Sequence, residues 1–126
     1  MAIELDPAAL EIVRQNPWSR DLFESPRLEQ IIGDTFEVIR DFPDAAFSRI
    51  IHDPPAMSLG GDLHSRELYQ QLHRVVWPNG RVFHYIGDRE SASGRNITRG
   101  VVQRLGEAGF RRVVRRPEAF GVVAWP

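Results

Sequence analysis

The sequence contains no cysteine. Disulfides, thiolate zinc sites and cysteine nucleophiles are therefore excluded. It has no apolar run long enough to span a bilayer, so no membrane partner is expected. It has no charged-then-apolar leader, which makes the cytoplasm the default location. It also lacks a surplus of either charge, with 16 basic and 17 acidic side chains and a net charge of −1. Strong non-specific nucleic-acid binding needs a basic surplus, although a local basic patch stays open. The histidines His52, His64, His73 and His84 lack the close pairing of a zinc site, so no metal is expected. Repeats and low-complexity segments are absent too. What remains is 126 residues, 42% apolar and 26% charged, enough for one domain around one core.

The ordering of apolar runs carries the structural signal. "AIEL" (Ala2 to Leu5) reads as a strand, and Asp6-Pro7 as a cap and first turn of a helix with Leu10, Val13 and Ile12 inward. Asn16-Pro17 ends that helix. "LEQIIGD" (Leu28 to Asp34) is a second strand, "TFEVIRDF" a short helix and "AFSRIIHD" (Ala46 to Asp53) a third strand. Ser65 caps a helix to about Val76, with Leu68, Leu72, Val75 and Val76 on one face. "WPNG" (Trp77 to Gly80) reads as a turn and "RVFHYIG" (Arg81 to Gly87) as a strand. A helix near Ile97 to Ala108 ends at Gly109, and "FRRVVRR" and "AFGVVAW" form an antiparallel pair too close together for a crossover. The expected fold is α/β: a mostly parallel sheet, helices on both faces, one antiparallel strand at the C-terminal end.

In such sheets ligands bind beyond the carboxyl ends of the strands. Glu4 or Asp6, Asp34, His52-Asp53 and His84-Tyr85 all fall at candidate strand ends. The stretch "IIHDPPAMSLGGDLHS" is the most pointed of these. A β-branched strand runs into an acid held by Pro54 and Pro55, and prolines need no further ordering when a substrate arrives.

The order of elements and these motifs together resemble the class I S-adenosylmethionine-dependent methyltransferases, with a Rossmann-like sheet. "IELDP" resembles the end of the family's second strand, "IIGD" its third-strand motif, and "DPP" the fourth-strand motif of enzymes that methylate bases or other amines. "VVWPNGRVFHY" resembles its helix, turn and fifth strand. "HDPP…S" and "Y-x-GD…SGR" are most similar to uncharacterised archaeal-type methyltransferases. The resemblance runs from Ala2 onward. It implies S-adenosyl-L-methionine as cofactor, with Glu4 taking the ribose hydroxyls and Asp34 the adenine amine, Thr35 and Phe36 alongside. It implies that Asp53, Pro54 and Pro55 hold an acceptor nitrogen of RNA, protein or a small amine toward the methyl group. The family's first strand and Gly-rich loop would precede "IELDP", and here Met1 stands two residues before Ile3. That predicts a single, incomplete domain whose first strand is missing: either the chain is a fragment, or the gap is filled by a partner chain, a swapped segment or self-association, or closed by the flanking strands joining.

Each of these residues also has a plainer reading. Asp53 could simply end a strand and open a turn. Glu4 and Asp34 could be solvated caps, and Asp6 suits a helix cap better than a ribose ligand. His52 and His84 are expected to be neighbours, each either moving a proton in catalysis or hydrogen-bonding behind the site. Base methylation usually has an aromatic after the prolines, where this chain has Ala56 and Met57. Ser91, Ser93, Gly94, Arg95 and Asn96 open a helix where an anion could dock, or cap it. Arg111, Arg112, Arg115 and Arg116 could meet RNA phosphates or guard an edge strand. Trp18, Trp77 and Trp125 are expected in the core or over a groove. The alternatives to methyl transfer are a non-catalytic interaction module and an aminopropyl-transferring relative.

Overall fold

Capped helices and short apolar strands alternate along the chain and build two units, Met1–Asp41 and Phe42–Pro126. The computed structural model describes residues 1–55, 61–87 and 92–126, and the side chains of all of these except 92–95. Ala56, Met57 and Ser91, and the side chains of Ser93, Gly94 and Arg95, lie outside the described residues, so the readings attached to them end with the sequence.

In the first unit, β1 (Ala2–Glu4) pairs in parallel with β2 (Gln30–Ile32), with Glu4 opposite Ile32. Between them, Asp6 caps α1 (Pro7–Arg14) by accepting from the Ala8 N–H at 2.8 Å. Asn16 caps a single 3-10 turn, Pro17–Ser19, so the expected break is there. The chain then re-enters a short helix, α2 (Arg20–Glu24), for which the sequence carried no clear period. Ile12 does not join the apolar face; it is 69% exposed while Leu10 and Val13 are half-buried. Trp18 is 95% exposed and is neither core nor groove cover. Asp34 caps α3 (Thr35–Val38), which runs into a 3-10 turn, Ile39–Asp41.

The second unit holds β3 (Phe47–His52), α4 (Arg66–Val75), β4 (Val76–Tyr85), α5 (Ala92–Glu107), β5 (Arg112–Arg116) and β6 (Gly121–Trp125). The strand order is β3-β4-β6-β5. β3 and β4 are parallel, and β6 is antiparallel to both β4 and β5. Three strands therefore run one way, and the last strand of the chain inserts between two of them in the opposite sense. Ser65 caps α4 through the Leu68 N–H at 3.1 Å, as its sequence implied. "WPNG" is not a separate turn. It lies inside β4 as an irregularity: Phe47 pairs with Val76 and Arg49 with Arg81, five steps on one strand against two on the other. α5 begins at Ala92, earlier than Ile97, and Gly109 follows its end at φ +113, a conformation that suits glycine.

Both helices of this unit touch each other and lie on one sheet face. Crossovers between parallel strands are right-handed as a rule, and two that advance in the same direction bring their helices together, as α4 and α5 are here. Leu68, Tyr69, Leu72 and Val75 of α4, Val101 and Leu105 of α5 and Ala108 just after it are buried together with Val82, Val122 and Ala124 of the sheet. The alternating residues point the other way, and Ile51 among them is 78% exposed.

Gly121 is what lets β6 lie beside β4. A Cβ there would sit 2.6 Å from the His84 carbonyl oxygen and 2.6 Å from the Phe83 ring. Gly121→Ala is expected to destabilise the fold by about 1–3 kcal/mol, read from urea unfolding. Gly61→Ala, whose Cβ would meet nothing within 4 Å, should change it by less than about 0.5 kcal/mol.

Candidate functional site

β3 ends at His52, and Asp53-Pro54-Pro55 follows it without regular secondary structure. In register, His52 lies opposite His84 of β4, with ring centroids 4.7 Å apart. The expected pairing of these two histidines is therefore present. A third histidine joins them. His64 closes the 3-10 turn Gly61–His64, and its ring lies 5.4 Å from that of His84. Tyr69, one turn into α4, stands edge-on to His84 at 5.5 Å. His52, His64, His84 and Tyr69 are all buried.

Every contact in this cluster has a direction set by its partner. His52 Nε2–H donates to the Leu63 carbonyl at 2.8 Å, and His64 Nε2–H donates to the Pro55 carbonyl at 3.0 Å. His84 Nδ1–H donates to the Tyr85 carbonyl at 2.8 Å, which leaves its Nε2 to accept from the Tyr69 hydroxyl at 2.7 Å. Arg104 of α5 donates from Nε to the His64 carbonyl at 2.9 Å. Two atoms of the cluster, His64 Nδ1 and Arg104 Nη2, are buried without a hydrogen-bond partner. The stretch 52–55 is thus tied to the stretch 63–64 by two crossing bonds, and the latter is tied to α5 by Arg104.

Burial also sets the charges. It lowers the His52 pKa from 6.5 to about 4, with the Leu63 bond acting against it and His64 adding to it. It lowers His84 to about 3, with His52 and His64 pushing the same way. Burial raises Tyr69 well above its ordinary value, against the pull of Arg104. His52 and His84 are therefore neutral at pH 7, and the bonds above are made by neutral imidazoles. His52 is not placed as a proton carrier: its ring is buried and its N–H is spent on Leu63.

Asp53 is different. It is exposed, and its carboxylate makes no hydrogen bond or ion pair among the described residues. Pro54 is half-buried and Pro55 exposed. In the first unit, Glu4 ends β1 and Asp34 follows β2, side by side through the parallel pairing and the Gly33 N–H to Glu4 carbonyl bond of 2.9 Å. Each spends one oxygen locally. Glu4 Oε1 accepts from the Asp6 N–H at 3.0 Å, and Asp34 Oδ1 from the Phe36 N–H at 2.8 Å. Neither pairs with a cation among the described residues, and their second oxygens are unengaged. Thr35 opens α3, and the half-buried Phe36 ring lies under the Arg40 guanidinium at 4.8 Å. Asp6 serves as a helix cap, as its place before Pro7 implied.

His64, Tyr69 and Arg104 were not legible as site residues. No group of three or more His, Asp or Glu side chains among the described residues is placed to hold a metal ion. His73 packs edge-on to Phe110 at 5.1 Å, away from the cluster. Arg111, Arg112, Arg115 and Arg116 are exposed on and beside the edge strand β5, with Arg112 stacked over Trp125 at 4.9 Å. Among the described residues no helix is long and apolar enough to cross a membrane.

This architecture has known counterparts. No family model matches the chain. An uncharacterised protein of Methanocaldococcus jannaschii is 43% identical over 125 residues, 98% of this chain and 43% of that protein. A polyamine aminopropyltransferase of Streptomyces coelicolor is 31% identical over 91 residues, 68% of this chain and 16% of that protein. The chain thus spans less than half the length of these relatives. A spermidine synthase in complex with the transition-state analogue AdoDATO superposes with a TM-score of 0.79 at 21% identity, covering 97% of this chain and 44% of that one. The spermidine synthase of Thermotoga maritima gives 0.72 at 19%, covering 97% and 43%. The trans-methyltransferase CalH in complex with SAH gives 0.54 at 13%, covering 97% and 40%. The fold is the Rossmann-like fold that these spermidine synthase and methyltransferase structures share.

The buried histidines set a pH dependence of stability. In the unfolded chain they take up a proton near pH 6.5, whereas His52 in the folded protein does so only near 4. The unfolded state therefore binds more protons between these values, and stability falls as pH drops from about 6.5 toward 4. The loss is expected to be on the order of 3 kcal/mol for His52, and His84 adds to it. Urea midpoints across this range, read with imidazole NMR, measure it. A flat profile would show that these histidines are not buried neutral.

Proposed function

We propose that this chain carries the alkyl-transfer site of an S-adenosylmethionine-dependent methyltransferase that acts on an amine nitrogen. The observation that carries the reading is Asp53: an exposed carboxylate, unengaged among the described residues, on a proline-fixed stretch at the carboxyl end of a strand. The Glu4 and Asp34 oxygens fit a neutral nucleoside, since each accepts from a hydroxyl or an amine and neither is neutralised by a cation. In this reading Glu4 takes the ribose hydroxyls, and Asp34 the adenine amine with Thr35 and Phe36 beside it. When bound, S-adenosyl-L-methionine supplies the electrophilic methyl group. The Asp53 carboxylate accepts an N–H of the acceptor amine and aims its lone pair, so the contribution is orientation rather than strong basicity. Pro54 and Pro55 keep that carboxylate from wandering, and His52 supports the turn instead of touching the reacting atoms. The acceptor nitrogen belongs to RNA, protein or a small amine.

A second reading has its own support. The aminopropyltransferase and spermidine synthase likenesses favour transfer of an aminopropyl group from a related sulfonium donor to a polyamine. The same carboxylate would orient that amine. β1 and β3 each have one edge without a strand partner among the described residues, which favours completion by a further chain or a second copy of this one.

The test offers the protein S-adenosylmethionine or its aminopropyl sulfonium analogue, with polyamines, peptides or RNA as acceptors. Mass spectrometry of the acceptor distinguishes a methyl from an aminopropyl gain. Asp53→Asn is expected to lower transfer by about a hundredfold with little change in donor affinity. Glu4→Gln should instead weaken donor binding, by about tenfold in calorimetric titration. Transfer undiminished in the Asp53→Asn protein would remove Asp53 from the mechanism.

A further inference from the structure

The buried polar cluster behind the Asp53 turn is larger than a fold of this size requires. Three imidazoles, a phenol and a guanidinium meet below one strand end, drawn from β3, the 3-10 turn 61–64, α4, β4 and α5. A buried polar group is costly unless bonded, so five of them gathered at one point ask for a reason. The direction of their bonds supplies one. His52 reaches forward across the loop to Leu63, and His64 reaches back to Pro55. Two bonds crossing in opposite senses fix both position and tilt of the turn, which a single bond would leave free to pivot. The bond from His64 ends on the carbonyl of the second proline. Neither proline has an N–H, so the turn cannot be held by donors of its own there. A donor from elsewhere must hold it.

We infer that His64 is the positioning residue of the Asp53-Pro54-Pro55 turn, its Nε2–H holding the Pro55 carbonyl while Arg104 holds the His64 backbone from behind. The bond has a second consequence. It occupies the Pro55 carbonyl, while the exposed Asp53 carboxylate stays open to accept an N–H of the substrate. This rests on the amine-transfer reading above. His64 acts on transfer only through where it places Asp53, with no contact to the reacting atoms.

The experiment has an arm that needs no substrate. Imidazole nitrogen NMR of the unmodified protein should place the proton on Nε2 of His52 and His64 and on Nδ1 of His84. Any other set of tautomers overturns the inference. His64→Leu keeps bulk and removes the donor, whereas His64→Gln returns a side-chain N–H at similar reach. Amide exchange at Asp53 should rise at least about tenfold in the leucine protein and return to within about threefold of the parent in the glutamine protein. Under turnover, the leucine protein should show a KM for the amine raised about tenfold, with donor affinity unchanged. If leucine and glutamine proteins behave alike in exchange, or if leucine leaves exchange unchanged, the inference is wrong. If the leucine protein does not fold, the tautomer arm decides alone. A parent protein that transfers no alkyl group to any amine defeats the functional reading, while the tautomer and exchange arms still decide what holds the turn.

Discussion

Two hydrogen bonds that cross each other, His52 to the Leu63 carbonyl and His64 to the Pro55 carbonyl, are the constraint on which the site depends. They join the end of β3 to the 3-10 turn before α4. Imidazoles suit this task. Each carries one donor and one acceptor in a rigid ring, so a neutral histidine can hold a carbonyl without bringing a charge into the interior. The prolines make the arrangement economical, because a chain already stiff at Pro54 and Pro55 loses little entropy when the bonds form.

The cluster needs the sheet to be in register. His52 meets His84 only because β3 and β4 pair in parallel with residue 52 opposite 84. The bulge at "WPNG" absorbs the mismatch earlier in the strands, so the offset between the two sequences does not reach the histidines. On the other side, β6 lies against β4 because Gly121 has no Cβ to strike the His84 carbonyl. His84 is thereby sealed at 1% exposure, and its depressed pKa follows from that burial. Packing, register and protonation state are one chain of causes, and it ends in neutral imidazoles beneath an exposed Asp53.

The same sequence also shows why a carboxylate at a strand end is a weak signal taken alone. Asp6, Asp34, Asp53 and Glu4 read alike as acids following apolar runs. In the structure Asp6 caps a helix, Asp34 caps another with one oxygen, Glu4 accepts from a nearby backbone N–H, and Asp53 bonds to nothing among the described residues. What separates them is the local backbone, which in three cases presents an N–H two residues on. After Asp53 the chain has prolines and no N–H to present.

The sequence by itself determined the element types, the caps at Asp6 and Ser65, the close of α5 at Gly109, the antiparallel pairing of the last two strands and the prominence of the Asp53 turn. These are local properties: periodicity, capping chemistry and proline geometry act within a few residues. It did not show α2 or the bulge, and it put Ile12 and Trp18 on the wrong side of the surface, because exposure is settled by what packs opposite. Only the tertiary structure brought His64, Tyr69 and Arg104 to the back of the turn. Their partners lie 9, 15 and 40 residues away. No spacing rule links a histidine in a loop to a proline carbonyl at that distance, since the link exists only once a parallel strand pair and two helices have closed over it.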